Sequence, residues 1–405
     1  MPCKLAVWFV GLQLLVSSIA SAQQPTGSGS DQGAAKLRLK LPFVDRTQFS
    51  DRGTIFYLLP PTLNDGIQVA DAREFTDLQG VLELLNQTER KNQDFRIGKG
   101  EPHKRGGRKP YDPKIVGCID SVLIAKNGKL VLEEYFADAR IDKPHYQMSI
   151  TKSILSYAIG KAIEQQKIKS VNDRLVDYLP ELDRSDLPEG VETLTLHDLL
   201  TMNSGIRIAA RESGTPSSKK THADMLLSKT KPISANKQFK YDGVNCELLV
   251  HVLYNVTGKT LGEFSGEHLF APMGIRDFSF GQSPCGLDKG SAGMRLRSRD
   301  MLKIGLMTAD NGRWNGKQIL PSEWVKQATD VHVNQKQPNG YGYFWWSHNV
   351  SHNGKTYRVR SCRGAGGQFI MVVPEQNLVA VFTSYYSTNR PIQHFEKIIL
   401  PAFAQ

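Results

Sequence analysis

The 405-residue sequence is poor in cysteine, with five in all, and no two stand in a Cys-x-x-Cys pair. That argues against a zinc ribbon or a thioredoxin-like redox site. It also lacks His-Glu-x-x-His, Gly-x-Ser-x-Gly and a phosphate-binding glycine loop. The usual zinc-protease, α/β-hydrolase and nucleotide routes are therefore not indicated. No internal repeat is present. The formal charge is +11, yet no basic run is interleaved with aromatics, so nucleic acid is not an expected partner. The densest basic stretch, residues 98–114, is broken by glycine and proline and reads as a solvated loop. Beyond the first twenty or so residues, no segment is apolar enough to span a bilayer.

What is present is a globular composition, 40% apolar and 22% charged. The opening residues carry one lysine, Lys4, an apolar run from Leu5 to Val16, and the small residues Ala20, Ser21 and Ala22. This is the pattern of an export signal cut after Ala22, which predicts a secreted or periplasmic protein. Four cysteines would then remain, Cys118, Cys246, Cys285 and Cys362, and an oxidising compartment permits them to pair. The chain divides into a signal (1–22), a linker and N-terminal extension (23–64) and one large domain (65–405).

Within that domain, Leu78, Val81, Leu82 and Leu85 fall on one helical face. Two β-rich runs flank Asn127-Gly128, a strong hairpin signal. In "TLHDLLTMNSG", Thr195 reads as a helix cap with Asp198 three residues on. Helices are also predicted around 245–257 and 298–310, and again near the C-terminus. "QFIMVV" and "LVAVFTS", joined by "PEQN", form a second hairpin. Strands at both ends and helices between them predict an α+β fold. Its sheet is mostly antiparallel and built from both termini, with flanking helices and an inserted, mainly helical subdomain.

"YQMSITKSILSYAIGKAIEQQ" holds the chemistry. Four Ser-x-x-Lys pairs occur, but those beginning at Ser217, Ser228 and Ser234 lie in a polar stretch and read as solvated. Behind Ser149 and Lys152 come Ile150, Ile154, Leu155, Ala158, Ile159, Ala162 and Ile163 at helical spacing. Residues three apart share a helix face, so Lys152 stands beside Ser149. A serine hydroxyl needs a base. A lysine amine serves where burial and the positive end of a helix dipole disfavour its ammonium form. The N–H groups of the first turn would face an oxyanion formed beside the serine. The competing reading is that Ser149 merely caps the helix while Lys152 is solvated.

The ordered set "SVLIAKNGKLVLEEYF", "MSITKSI", "LTLHDLLTMNSGI", "FKYDGVN", "GYGYFWW" and "GAGGQFIMVVPEQNLVAVF" resembles the serine β-lactamase-like family. That family includes class C β-lactamases, DD-peptidases, esterases and 6-aminohexanoate-dimer hydrolases. The resemblance spans roughly residues 65–405 and is strongest toward the 6-aminohexanoate-dimer hydrolases. It implies that Ser149 is the nucleophile, Lys152 the base and Tyr241 a proton relay hydrogen-bonded to both. Gly243 stands where the family's Tyr-x-Asn element has its amide, and Asn245 is the substitute. The third element, normally Lys-Thr-Gly or a His-containing equivalent, is Cys362-Arg363-Gly364 here. The Ser149 and Ala365 N–H groups would form the oxyanion hole. Gly364 and Gly366 admit substrate, with Arg363 or Arg360 as a replacement charge. Read from the residues alone, Trp345, Trp346 and Tyr343 in "GYGYFWW" are either walls of an apolar cleft or core and rim packing.

An acyl-enzyme route needs no metal and no organic cofactor, and none is expected. His197 and His251 read as packed or surface residues. The expected partner is a small-molecule ester or amide. A DD-peptidase or β-lactamase, and a catalytically silent binding protein of the same fold, are the alternatives.

Overall fold

The computed structural model describes residues 59–76, 79–81, 85, 88, 118–136, 139–207, 219–235, 237–335, 339–385 and 390–404. All lie within one compact unit, Lys36–Gln405. The signal segment, Leu78, Leu82 and the basic loop lie outside the described residues.

Thirteen strands are described, in chain order β1 (Gln68–Val69), β2 (Cys118–Lys126), β3 (Lys129–Tyr135), β4 (His145–Tyr146), β5 (Arg295–Leu296), β6 (Arg313–Trp314), β7 (Lys317–Gln318), β8 (Val333–Asn334), β9 (Asn339–Tyr341), β10 (Trp346–His352), β11 (Lys355–Gly364), β12 (Gln368–Val373) and β13 (Leu378–Tyr385). Nine form one sheet in the order β1-β3-β2-β13-β12-β11-β10-β9-β8. Every pairing in it is antiparallel except β1 with β3. Strands from the two chain ends meet at β2 and β13, as the sequence pattern requires.

Local chemistry explains the joints. Asn127 and Gly128 both adopt positive φ, 51° and 79°, the conformation of a tight two-residue hairpin. Thr195 and Asp198 cap helix Leu196–Leu200 reciprocally. Gly258, at φ 69°, ends helix Val244–Thr257.

Alternation along the strands divides the core in two. Leu123, Ala125, Ile370, Val372, Val379 and Val381 join the helical side. Val122, Ile124, Phe369, Met371, Ala380 and Phe382 face the C-terminal helical segment with Phe395, Ile399, Leu400 and Phe403. Val81 and Leu85 are buried on that second side.

Helix Ile150–Glu164, the central helix, departs from the simple amphipathic expectation. It is buried on nearly every side, as a helix running through the middle of a core must be. Two of its polar side chains are satisfied inside: Ser153 donates to the Phe344 carbonyl at 2.7 Å and the Tyr157 hydroxyl pairs with Thr308 at 2.8 Å. Gly160 lets Trp324 press against it, since a Cβ there would lie 2.1 Å from the indole nitrogen.

The end of the N-terminal extension is seated on the domain. Pro60 is buried. The Pro61 carbonyl accepts from Arg299 at 2.8 Å, and Arg299 also binds Asp65 and Glu133.

Candidate active site

Two short strands deliver the chain to Ser149. β4 pairs with β5, and the Gln147 N–H donates to the Met294 carbonyl at 2.8 Å. Met148 follows at φ 49°. A left-handed methionine is strained, and strain of this kind is stored where a side chain must be aimed. Ser149 then stands in the cap position of the central helix, but its hydroxyl makes no capping bond. Instead it accepts from the Lys152 amine at 3.0 Å. This geometry rejects the capping reading.

Lys152 is 4% exposed, not solvated. Its amine also donates to the Ser291 carbonyl and lies over the Tyr241 ring, 5.0 Å from the centroid. Among the described residues it is paired with no carboxylate. Its second acceptor was missed by sequence reasoning. Ser291 is held because Glu247, on the Val244–Thr257 helix, accepts from the Ser291 and Gly290 N–H groups at 3.1 and 3.3 Å. Nothing in "SAGMRL" signals this, because a main-chain carbonyl carries no residue-type signature.

Tyr241 reaches the lysine, but differently from the expectation. It is 39% exposed. Among the described residues its hydroxyl makes no hydrogen bond to Ser149 or Lys152, and the ring face supports the amine instead. The ring is braced by Trp346 at 5.6 Å and Tyr341 at 6.2 Å.

Four other expected residues find different places. Trp345 is fully buried and packs on Tyr157. Its neighbour Trp346 is the tryptophan at the site, since adjacent residues entering a strand point to opposite faces. Tyr343 is buried too, bonded to His197 at 3.0 Å and stacked on His332. Asn245 is 2% exposed, and its amide is committed internally. It accepts from Ser204 at 2.6 Å and donates to the Asp242 carbonyl at 3.2 Å. The space at the missing amide is filled from outside the motif: a Cβ on Gly243 would lie 3.1 Å from the Ser291 Cβ.

Arg363 shares a strand face with Val359 and Tyr357, on the second core's side of the sheet. Its guanidinium binds Ser361 and His348, both at 2.9 Å, and lies over Trp346. Burial and the Arg363 charge push the His348 imidazole down to about 4, so it stays neutral beside the guanidinium. The replacement charge is thus committed to Ser361 and His348 behind Trp346, the ring that braces Tyr241.

The glycine-rich turn after β11 does reach the site. A Cβ on Gly364 would lie 2.4 Å from the Gln147 carbonyl, so only glycine lets β11 run this close to the approach to Ser149. Gly366 and Gly367 follow at φ 87° and 96°. Ala365 is exposed on this turn. Among the described residues, neither the Ala365 N–H nor the Ser149 N–H donates a hydrogen bond. Ser149 and Ala365 thus each keep an N–H without an acceptor among the described residues, as an oxyanion hole would need.

The sequence profile of the Beta-lactamase family matches residues 120–396. The chain belongs to that family. It is 24% identical over 252 residues to the 6-aminohexanoate-dimer hydrolase of Paenarthrobacter ureafaciens, a match spanning 56% of this chain and 64% of that relative. The fold is similar to a family VIII carboxylesterase (TM-score 0.58, 18% identity, 77% of this chain and 97% of that one). It is also similar to the octameric penicillin-binding protein homologue of Pyrococcus abyssi (TM-score 0.58, 16% identity, 80% and 77%). The β-lactamase/transpeptidase-like fold and the serine-hydrolase family expected from the ordered motifs are thus both established.

Cys246, Cys285 and Cys362 are buried thiols, not disulfide partners. Burial pushes the Cys246 thiol up to about 12 and Cys362 further, so neither is a nucleophile.

Proposed function

We propose that the chain is an exported serine hydrolase that cleaves an ester or amide through an acyl-enzyme on Ser149. One observation carries the reading: the Ser149 hydroxyl, free of any capping duty, lies 3.0 Å from a buried lysine amine that has no carboxylate partner among the described residues. In the reaction the Ser149 oxygen attacks the substrate carbonyl while its proton passes to the Lys152 amine. The carbonyl oxygen gains the negative charge, and the Ser149 and Ala365 N–H groups hold it. The tetrahedral intermediate collapses and the carbon–heteroatom bond breaks. The leaving oxygen or nitrogen takes a proton through Tyr241. Water then repeats the sequence on the acyl-enzyme and frees Ser149.

The rim offers an apolar wall, Tyr241 and Trp346, in place of a cationic anchor. Arg363 stands behind that wall, its guanidinium over the Trp346 ring and committed to Ser361 and His348. This favours uncharged esters or amides over carboxylate-bearing β-lactams. The relatives fit: one is named a dimer hydrolase and another a carboxylesterase. Export rests on the first 22 residues.

The test is turnover of short-chain nitrophenyl esters, with fluorescent penicillin as competitor. The reading expects ester hydrolysis that Ser149→Ala abolishes and little penicillin acylation. Undiminished hydrolysis by Ser149→Ala would overturn it. Stable penicillin acylation with no ester turnover would favour the DD-peptidase reading.

A further inference from the structure

The described residues contain a second cluster of chemistry-bearing side chains that the hydrolase reading does not use. His222, His251 and Cys285 come from helix Lys219–Ser228, helix Val244–Thr257 and the loop before β5. The three are buried, and their donor atoms lie within 4.8 Å of one another. His222 Nδ1 is 2.9 Å from His251 Nε2 and 3.4 Å from the Cys285 sulfur. Two imidazoles and a thiol thus converge on one small volume.

We propose that His222, His251 and Cys285 form a binding site for a borderline-soft divalent cation, Zn2+. The donor set is the one zinc takes, nitrogen and thiolate sulfur. Tetrahedral zinc places nitrogen ligands about 3.3 Å apart and a nitrogen about 3.6 Å from a sulfur. The observed 2.9 and 3.4 Å need only a small outward adjustment. A carboxylate stands behind one ligand, as second shells of metal sites require: Glu181 lies 4.0 Å from the other ring nitrogen of His251. Glu181 is itself positioned by Asn255 at 2.9 Å. His222 and Cys285 retain 8% and 9% exposure, which marks the side from which the ion enters. Three protein ligands leave a fourth position for water. The cysteine binds as thiolate, so its proton leaves to solvent when the sulfur–metal bond forms.

The site has a structural consequence for the catalytic machinery. His251 and Glu247 are four residues apart on one helix and share a face. Glu247 holds the backbone of Gly290 and Ser291, and Ser291 accepts from Lys152. Cys285 opens that same loop. A cation joining His222, His251 and Cys285 would clamp the loop at its start while Glu247 fixes its end.

The sequence does not announce this site. The ligands at 222, 251 and 285 have no metal-motif spacing, His251 alone reads as a packed residue, and His222 lies in a stretch that reads as solvated. The proposal departs from the expectation of no metal.

The test uses the mature chain, purified without a histidine tag, stripped with chelator and checked for fold by circular dichroism. Co2+ is then titrated as a spectroscopic stand-in and Zn2+ is used to displace it. The proposal expects one Co2+ per chain, with thiolate-to-cobalt charge-transfer absorption that Zn2+ abolishes. Cys285→Ser, which keeps a hydroxyl for the His222 and Ser283 contacts, is expected to lose that band. His222→Gln is expected to weaken binding at least tenfold. A folded apo chain that takes up no Co2+ overturns the proposal, as does a charge-transfer band that persists in folded Cys285→Ser. Should Cys285→Ser fail to fold, thiol-reagent labelling of the unaltered chain decides: Zn2+ must protect Cys285, and unchanged labelling refutes the site.

Discussion

At the scale of residues, the account turns on who touches Lys152. Its amine has a hydroxyl, a carbonyl and an aromatic face around it. Lys152→Met keeps the stem and removes the amine, so kcat should fall by about 10²–10⁴, the usual worth of a general base. Tyr241→Phe separates the ring from the hydroxyl. Loss of kcat of similar size assigns proton transfer to the phenol. Unchanged kcat would leave only the ring's support of the ammonium. The serine–lysine pair was legible in the sequence because three-residue spacing and the apolar stripe behind it fix one helix face. Trp345 and Trp346 were not distinguishable, because a choice between adjacent residues depends on strand phase. Asn245 was misplaced because a buried amide and a substrate-binding amide have the same sequence signature.

At the scale of elements, the central helix sets precision. It is wedged between the sheet and Trp324, and Gly160 is the position where that wedge is tightest. Gly160→Ala should cost about 1–3 kcal/mol through overpacking, read as a lower denaturant midpoint at unchanged slope. An unshifted midpoint would mean that the indole moves aside freely. Helix ends and hairpins were legible because Thr195, Asn127-Gly128 and Gly258 each have a backbone reason to be where they are. The brace made by Glu247 on the Ser291 loop was not, since it joins two elements through main-chain N–H groups.

At the scale of the whole molecule, both chain ends build one sheet, and Arg299 ties β3 to the start of the domain. It is 3% exposed and binds Glu133, Asp65 and the Pro61 carbonyl. Arg299→Met leaves Glu133 buried without its cation, and breaking such a pair costs about 3–5 kcal/mol. Limited proteolysis should then cut near residues 59–65 sooner than in the unaltered protein. Equal stability and equal cleavage would show that the network is dispensable. That one mostly antiparallel sheet draws on both chain ends was legible from the strands there, while its strand order was not. The seating of Pro60 and Pro61 was not, because irregular segments lack a periodic signal.

The most direct test of the central claim is intact-mass and peptide-level analysis after treatment with a fluorophosphonate. The account predicts one adduct per chain, on Ser149, with none in Ser149→Ala and slow labelling in Lys152→Met. An adduct on another residue, or undiminished labelling of Ser149→Ala, would contradict it.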